Sequence, residues 1–148
     1  MTSGRIPWAW LLCGWIGVIF FSSTSLAGEK SEQAFGFLSE IFQMRLQTGT
    51  PSERVVHLLA DKSVHIGLFC VLGILLWKTL PNAKRKIAVV LFWGAIIGSC
   101  SEFLQSFFPG RDPAISDVLI NVAGTAIGMS IILAIARLRA PAVKLVEA

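Results

Sequence analysis

The 148-residue chain is long enough for one domain, and its composition excludes an ordinary soluble protein. Hydrophobic residues make up 54% of the chain and charged residues only 15%, against roughly 25% in soluble globular chains. Lipid must cover much of this apolar surface, because a small soluble domain buries only part of its chain. The net charge of +4 does not indicate a nucleic-acid partner, since the basic residues flank apolar segments and form no single stripe.

Four apolar segments are each long enough to cross a hydrocarbon core of about 30 Å. They are Ile6–Ala27, Val55–Leu80, Ile87–Phe108 and Ile115–Ala136. Backbone groups in lipid are satisfied only within helices or closed barrels, and no segment alternates with a period of two. We therefore predict an all-α integral membrane bundle of four transmembrane helices, which forms a single domain over residues 1–148.

The first segment has two interpretations. Arg5, the apolar run and the small residues from Ser25 to Ala27 are typical of a cleaved secretory signal. The run is nevertheless long and contains three tryptophans, which favours a retained helix with aromatic anchors at the membrane interface. We expect retention, and cleavage would leave the rest of the topology unchanged.

A shorter amphipathic element is predicted between the first two segments. Apolar residues recur there at helical spacing from Ala34 to Phe42, with polar residues between them. This pattern predicts a short helix lying on the outer face of the membrane, and the alternative is a partly ordered loop.

Lys and Arg residues predict the orientation of the bundle. Apart from Lys62, which lies inside the second apolar segment, the basic residues outside the two mixed-charge loops are Arg5, Lys78, Lys84, Arg85, Lys86, Arg137, Arg139 and Lys144. Segment 28–54 and loop 109–113 instead mix acidic and basic residues. Because basic residues are enriched on the cytoplasmic side, both termini and the middle turn are predicted to be cytoplasmic.

The three cysteines do not indicate a disulfide framework or a zinc site. Cys13, Cys70 and Cys100 each lie inside a different apolar segment, where a thiol behaves as a small apolar side chain. The sequence contains no nucleotide, redox or nucleic-acid motif, and no cofactor is evident from it.

Polar residues inside the last three apolar segments are costly in lipid and so require an explanation. At a rise of 1.5 Å per residue, His65, Glu102 and Asn121 lie roughly 6–8 Å above the midplane, toward the predicted outer surface. A second level, about 12 Å above the midplane, contains Asp61, Gln105 and Asp117. Three helices therefore contribute polar groups at matching heights, and we predict that these groups face one another.

Glycine pairs continue the same stripes. Gly94 and Gly98 precede the polar residues of the third segment, and Gly124 and Gly128 follow those of the fourth. Small residues spaced by four allow close approach of helix backbones in lipid. We therefore expect the third and fourth helices to pack through these glycines, with their acids in a shared pocket open to the outer leaflet.

Arg111 lies at the tip of the turn above this predicted pocket, where a guanidinium can bind a carboxylate or a phosphate through two hydrogen bonds. The predicted functional cluster is Asp61, Lys62, His65, Glu102, Gln105, Arg111, Asp117 and Asn121. A purely structural alternative remains, in which the acids pair with Lys62, His65 and Arg111 and only join the helix ends.

Three motifs resemble the VanZ family of small bacterial membrane proteins. They are D-K-S-V-H from Asp61 to His65, E-F-L-Q-S-F-F-P-G-R from Glu102 to Arg111, and S-D-V-L-I-N-V-A-G-T-A-I-G from Ser116 to Gly128. The resemblance implies a place in the bacterial cytoplasmic membrane and a role at the cell envelope. The founding member is similar to an accessory factor for low-level teicoplanin resistance, yet many relatives occur in bacteria without such resistance.

Three functions are compatible with these residues. The first is binding of an anionic lipid, a lipid-linked cell-wall precursor or a glycopeptide-related ligand at the polar site. The second is a hydrolase in which His65, Glu102 and Asp117 act as general acids and bases or hold a metal ion. The chain lacks HExxH and GxSxG, which makes an enzyme the less favoured choice. The third is a non-catalytic scaffold subunit of an envelope complex, a homo- or hetero-oligomer in which Gly14, Gly17 and the amphipathic segment bind partner helices.

Overall fold

The computed structural model of the protein describes residues 6–24, 53–109 and 113–139. These residues form four α-helices and no β-strand. The helices are α1 (Ile6–Ser22), α2 (Glu53–Thr79), α3 (Lys86–Gln105) and α4 (Ile115–Arg139). The all-α class is confirmed for this part of the chain. The predicted amphipathic helix at 34–42 and the Arg111 side chain lie outside the described residues.

Three of the four helices are long and apolar enough to cross a membrane, by length and composition. They are α3, α4 and the Asp61–Thr79 portion of α2. The apolar part of α1, Pro7–Ser22, is shorter. With 17 residues, α1 is about 26 Å long, which is less than the hydrocarbon thickness of about 30 Å. Of the four predicted spans, three therefore have the expected length within the described residues.

Three helix ends differ from the predicted segment boundaries by three residues or more. Helix α1 ends at Ser22, whereas the predicted segment ends at Ala27. The amides of Ser106, Phe107 and Phe108 each donate to a carbonyl three residues earlier, which makes a tight turn after Gln105. Helix α3 therefore ends three residues before the predicted boundary. Helix α4 continues three residues beyond its predicted end, to Arg139.

The bundle is organised around α2 and α4. These two helices pack along each other most extensively, α3 packs mainly on α4, and α1 packs mainly on α2. The apolar core consists of Ile19, Phe69, Leu72, Leu76, Val90, Ile97 and Met129. Large apolar side chains also cover the outside of the bundle, including Trp10, Phe92 and Leu138. Such a surface is suited to contact with lipid.

The glycine pairs lie in two different helix interfaces. Gly94 and Gly98 face α4, since a Cβ on Gly98 would approach the Asn121 side chain to 3.0 Å. We expected Gly124 and Gly128 in the same interface, but they face α2. A Cβ on Gly124 would lie 2.8 Å from the carbonyl oxygen of Ile66. At about 100° per residue, Gly124 lies about 60° around the helix from Asn121, which is enough to face a different neighbour.

Helix α1 is attached to the bundle by polar contacts as well as by apolar packing. The Trp15 indole donates from Nε1 to the carbonyl oxygen of Leu68 in α2, over 2.9 Å. At the end of α1, the hydroxyls of Ser23 and Ser101 lie 2.8 Å apart, and both side chains are buried. Trp15 thus bonds within the bundle, whereas its sequence pattern predicted an anchor at the membrane interface.

Candidate functional site

Polar side chains from three helices meet at one end of the bundle, where α3 ends and α4 begins. The buried members are His65 from α2, Glu102 and Gln105 from α3, and Asp117 and Asn121 from α4. Glu102 and Gln105 lie in the last turn of α3, and Asp117 and Asn121 lie in the first two turns of α4, whereas His65 lies further inside the longer helix α2, which begins at Glu53. We call this group, with Asp61 and Lys62, the polar cluster.

His65 lies at the centre of the polar cluster. Its Nδ1 atom is 3.0 Å from the amide oxygen of Asn121 and 3.8 Å from Oε1 of Glu102. With the Asn121 oxygen as acceptor, the proton of the imidazole is on Nδ1. His65 therefore lies within 4 Å of both other residues at the first predicted level.

An ion pair forms the second layer of the polar cluster. The Lys62 ammonium contacts Oδ1 of Asp117 directly and lies 3.9 Å from a carboxylate oxygen of Asp61. The side chains are 26% exposed for Lys62, 47% for Asp61 and 5% for Asp117. Asp61 and Lys62 thus form the accessible rim of the cluster, and Asp117 forms its floor.

Glu102 connects the end of α3 to the start of α4. Its Oε2 atom accepts a hydrogen bond from the backbone amide of Ala114, over 3.3 Å. Its Oε1 atom is buried and accepts no hydrogen bond from the described residues, and the buried Nδ2 atom of Asn121 likewise has no acceptor among them. Buried polar groups without partners cost roughly 1–3 kcal/mol each, so they are uncommon in a site that is complete by itself.

The polar cluster can also accommodate a cation. Asp61, His65 and Asp117 can each offer one ligand atom, and these atoms lie within 4.8 Å of one another. Imidazole and carboxylate groups are common ligands of Zn²⁺ and other first-row transition metals. A metal ion here would have to replace the Lys62 ammonium at Asp117, since the two side chains are in direct contact.

The structure brings together most of the residues singled out in the sequence. Gln105 is buried at the same end of the bundle, and the four glycines lie deeper in it along the same helices. Lys62 pairs with Asp117 and His65 lies beside Glu102, as in the structural alternative, so pairing of side chains is part of what this cluster does.

Two buried hydroxyl residues next to the polar cluster were missed in the sequence. Ser101 precedes Glu102 and contacts Ser23, and Thr125 donates to the backbone carbonyl of Asn121 over 2.9 Å. Ser101 could have been predicted from its spacing, since it follows Gly98 by three residues and thus lies on the same helix face. Thr125 follows Asn121 by four residues, so the same spacing rule places it on the helix face of Asn121.

Comparison with known proteins gives one match. The sequence model of the VanZ/LLP1 family matches residues 8–137, a range that contains every member of the polar cluster. The family resemblance indicated by the three motifs is thereby confirmed. No curated protein and no solved structure matches the chain.

Proposed function

The chain belongs to the VanZ/LLP1 family, and we propose that its polar cluster binds the head group of an anionic amphiphile. The ligand class is a phosphate-bearing lipid or a lipid-linked cell-wall precursor. We place the protein in the bacterial inner membrane with both termini in the cytoplasm, which follows from the distribution of Lys and Arg. In that orientation the polar cluster opens to the outer leaflet.

The observation that carries this proposal is the Lys62 ammonium at the rim of the cluster. Asp117 holds it from the buried side, while about a quarter of the Lys62 side chain remains exposed. A phosphate approaching from the rim can bind this ammonium as a point charge and replace the more distant Asp61 carboxylate. Arg111, which the sequence places above the cluster, would add a second cation.

The surroundings of the polar cluster favour an amphiphile over a small anion. Phe103, Phe107, Ile115 and Leu119 are large, exposed apolar side chains at the same end of α3 and α4. Acyl or prenyl chains of a bound ligand can lie against this surface while the head group reaches Lys62. A soluble anion would leave the same surface unused.

Two unfilled hydrogen-bonding positions argue against a cluster that serves only to join helices. Side chains that only pair with one another normally satisfy their buried atoms, because an unpaired buried group is costly. Within the described part of the chain, Oε1 of Glu102 and Nδ2 of Asn121 are one acceptor and one donor without hydrogen-bond partners. Hydroxyl and phosphate groups of a head group supply the complementary donor and acceptor.

Lipid capture by purified full-length protein tests the proposal. Native mass spectrometry would compare the wild type with Lys62→Gln and Arg111→Ala in the presence of phosphatidylglycerol or a polyprenyl phosphate. We expect each variant to bind the lipid of the polar cluster about tenfold more weakly, equivalent to about 1.4 kcal/mol. Lys84→Gln is the matched control, since Lys84 is exposed at the other end of the bundle. Unchanged capture by both variants would refute the proposal, and the same assay with teicoplanin tests a glycopeptide-related ligand.

A metal-dependent hydrolase is the second candidate, and the three ligand atoms of Asp61, His65 and Asp117 support it. In this version Asp61, His65 and Asp117 would hold the metal ion, which would supply activation of a water molecule, and Glu102 would accept the proton of that water beside His65. Metal analysis of purified protein and phosphate release from a polyprenyl diphosphate test it together. Bound metal with turnover that is lost in His65→Ala would favour the enzyme, and a metal-free protein without turnover would exclude it.

A further inference from the structure

A second polar feature lies at the opposite end of the bundle. A groove of about 440 Å³ runs between the end of α2, the start of α3 and the end of α4. Its polar lining consists of Lys78, Asn82, Lys86 and Arg139. At 1.5 Å per residue, the distance along α4 from Asp117 to Arg139 is about 33 Å, so this groove is separate from the polar cluster.

The groove is positively charged. Three cationic side chains line it, and no acidic side chain among the described residues does so. Lys86 is only 8% exposed, and its ammonium donates to the Asn82 side chain over 3.0 Å and lies 4.4 Å from the centre of the Trp77 ring. These contacts hold the ammonium in one place inside the groove.

The remaining walls of the groove are apolar. Leu80 from the end of α2 and Ile132, Ile135 and Ala136 from α4 complete the lining. Trp77 contributes an indole, the side chain that is enriched where lipid head groups meet the hydrocarbon. A charged end beside an apolar wall matches a molecule with an anionic head group and hydrocarbon chains.

We propose that this groove binds an anionic phospholipid, with the phosphate at Lys86 and Arg139 and the acyl chains along Ile132 and Ile135. Basic pockets between transmembrane helices on the cytoplasmic side are known to bind such head groups. Basic residues at this end also serve to orient the protein, and that role requires no groove. Lys84 and Arg85 illustrate the difference, since both are exposed and lie outside the lining.

The test compares two double variants that remove the same charge from the same end of the protein. Lys78→Gln with Arg139→Gln changes the groove, and Lys84→Gln with Arg85→Gln changes only the exposed turn. Native mass spectrometry of full-length protein would measure retained phosphatidylglycerol. At about 1 kcal/mol for each basic residue near an anionic surface, we expect at least a tenfold loss in the groove variant and less than twofold in the control. The difference should persist in a Lys62→Gln background.

Single variants and other ligands complete the design. Lys78 also lies 5.5 Å from the ring of Trp8, so Arg139→Gln alone shows whether the loss occurs without that contact. Phosphatidylethanolamine and inorganic phosphate are the comparison ligands. Equal losses in both double variants would overturn the proposal in favour of general surface charge. Equal retention of phosphatidylethanolamine, or displacement of phosphatidylglycerol by millimolar inorganic phosphate, would overturn it as well.

Discussion

The imidazole Nδ1 of His65 lies 3.0 Å from the amide oxygen of Asn121, and both side chains are buried between α2 and α4. The contact joins the two helices that pack most extensively in the bundle. It also orients the imidazole toward Glu102, whose Oε1 atom lies 3.8 Å from the same nitrogen. One hydrogen bond thus contributes both to the packing of α2 on α4 and to the arrangement of the polar cluster.

This hydrogen bond predicts an energetic coupling between the two residues. A double-mutant cycle with His65→Ala and Asn121→Ala should give a coupling free energy of about 0.6–1.7 kcal/mol, the range for polar contacts between membrane helices. Unfolding of the purified protein in detergent would measure it. His65→Ala with Ser99→Ala is the control cycle, since Ser99 is exposed on α3, and it should give a value near zero. A coupling near zero in both cycles would contradict the observed contact.

The glycines of α2 and α4 predict opposite effects of the same substitution. A Cβ on Gly128 would overlap the backbone carbonyl of Cys70, whereas a Cβ on Gly67 would meet no atom within 4 Å. Gly128→Ala should therefore lower the free energy of unfolding by about 1–3 kcal/mol, or more if the helices must separate. Gly67→Ala should be neutral or stabilising by up to about 1 kcal/mol, because alanine is the better helix former. Thermal unfolding of both variants checks this, and equal effects would place Gly128 outside the interface.

The neighbouring helix that each glycine faces could not be predicted from the sequence. Heights along a helix follow from residue counts, so the common level of His65, Glu102 and Asn121 could be predicted from spacing alone. The facing direction of Gly124 and Gly128 depends on which helix lies on each side of α4, and a single helix does not encode this. A rotation of about 60° decides between α2 and α3, and both arrangements allow close packing of small residues.

The attachment of α1 to the bundle predicts that it is retained in the mature protein. Its Trp15 donates to Leu68, and its last turn places Ser23 against Ser101. Ile19 of α1 is part of the apolar core, so removal of α1 would expose the core residues that pack against it. Removal would also leave the Leu68 carbonyl and the Ser101 hydroxyl without these hydrogen-bond partners. The intact mass of protein purified from membranes should include residues 1–27. Trp15→Phe should cost about 1 kcal/mol of stability through the lost hydrogen bond, and a mature chain that begins after Ala27 would refute retention.

Variants of Lys62 and Asp117 distinguish a structural role of this ion pair from a role in ligand binding. Lys62→Gln leaves the buried carboxylate of Asp117 without its cation, and loss of one partner of a buried pair costs up to about 3–5 kcal/mol. The exposure of Lys62 lowers this cost, because water reaches the site and screens the charge, so we expect about 1–2 kcal/mol. The double variant Lys62→Gln with Asp117→Asn has no unpaired charge at these two positions, and most of the lost stability should return.

Lipid capture by the same double variant gives the deciding result. If the ion pair only joins helices, the stability restored in the double variant should restore every property of the protein. If Lys62 binds a head group, the double variant should unfold like the wild type and still bind phosphatidylglycerol or polyprenyl phosphate at the polar cluster about tenfold more weakly. Thermal unfolding and native mass spectrometry on the same preparations measure both quantities. Recovery of lipid capture together with stability would assign the pair to helix packing alone, since a ligand that needs the ammonium cannot bind glutamine in its place.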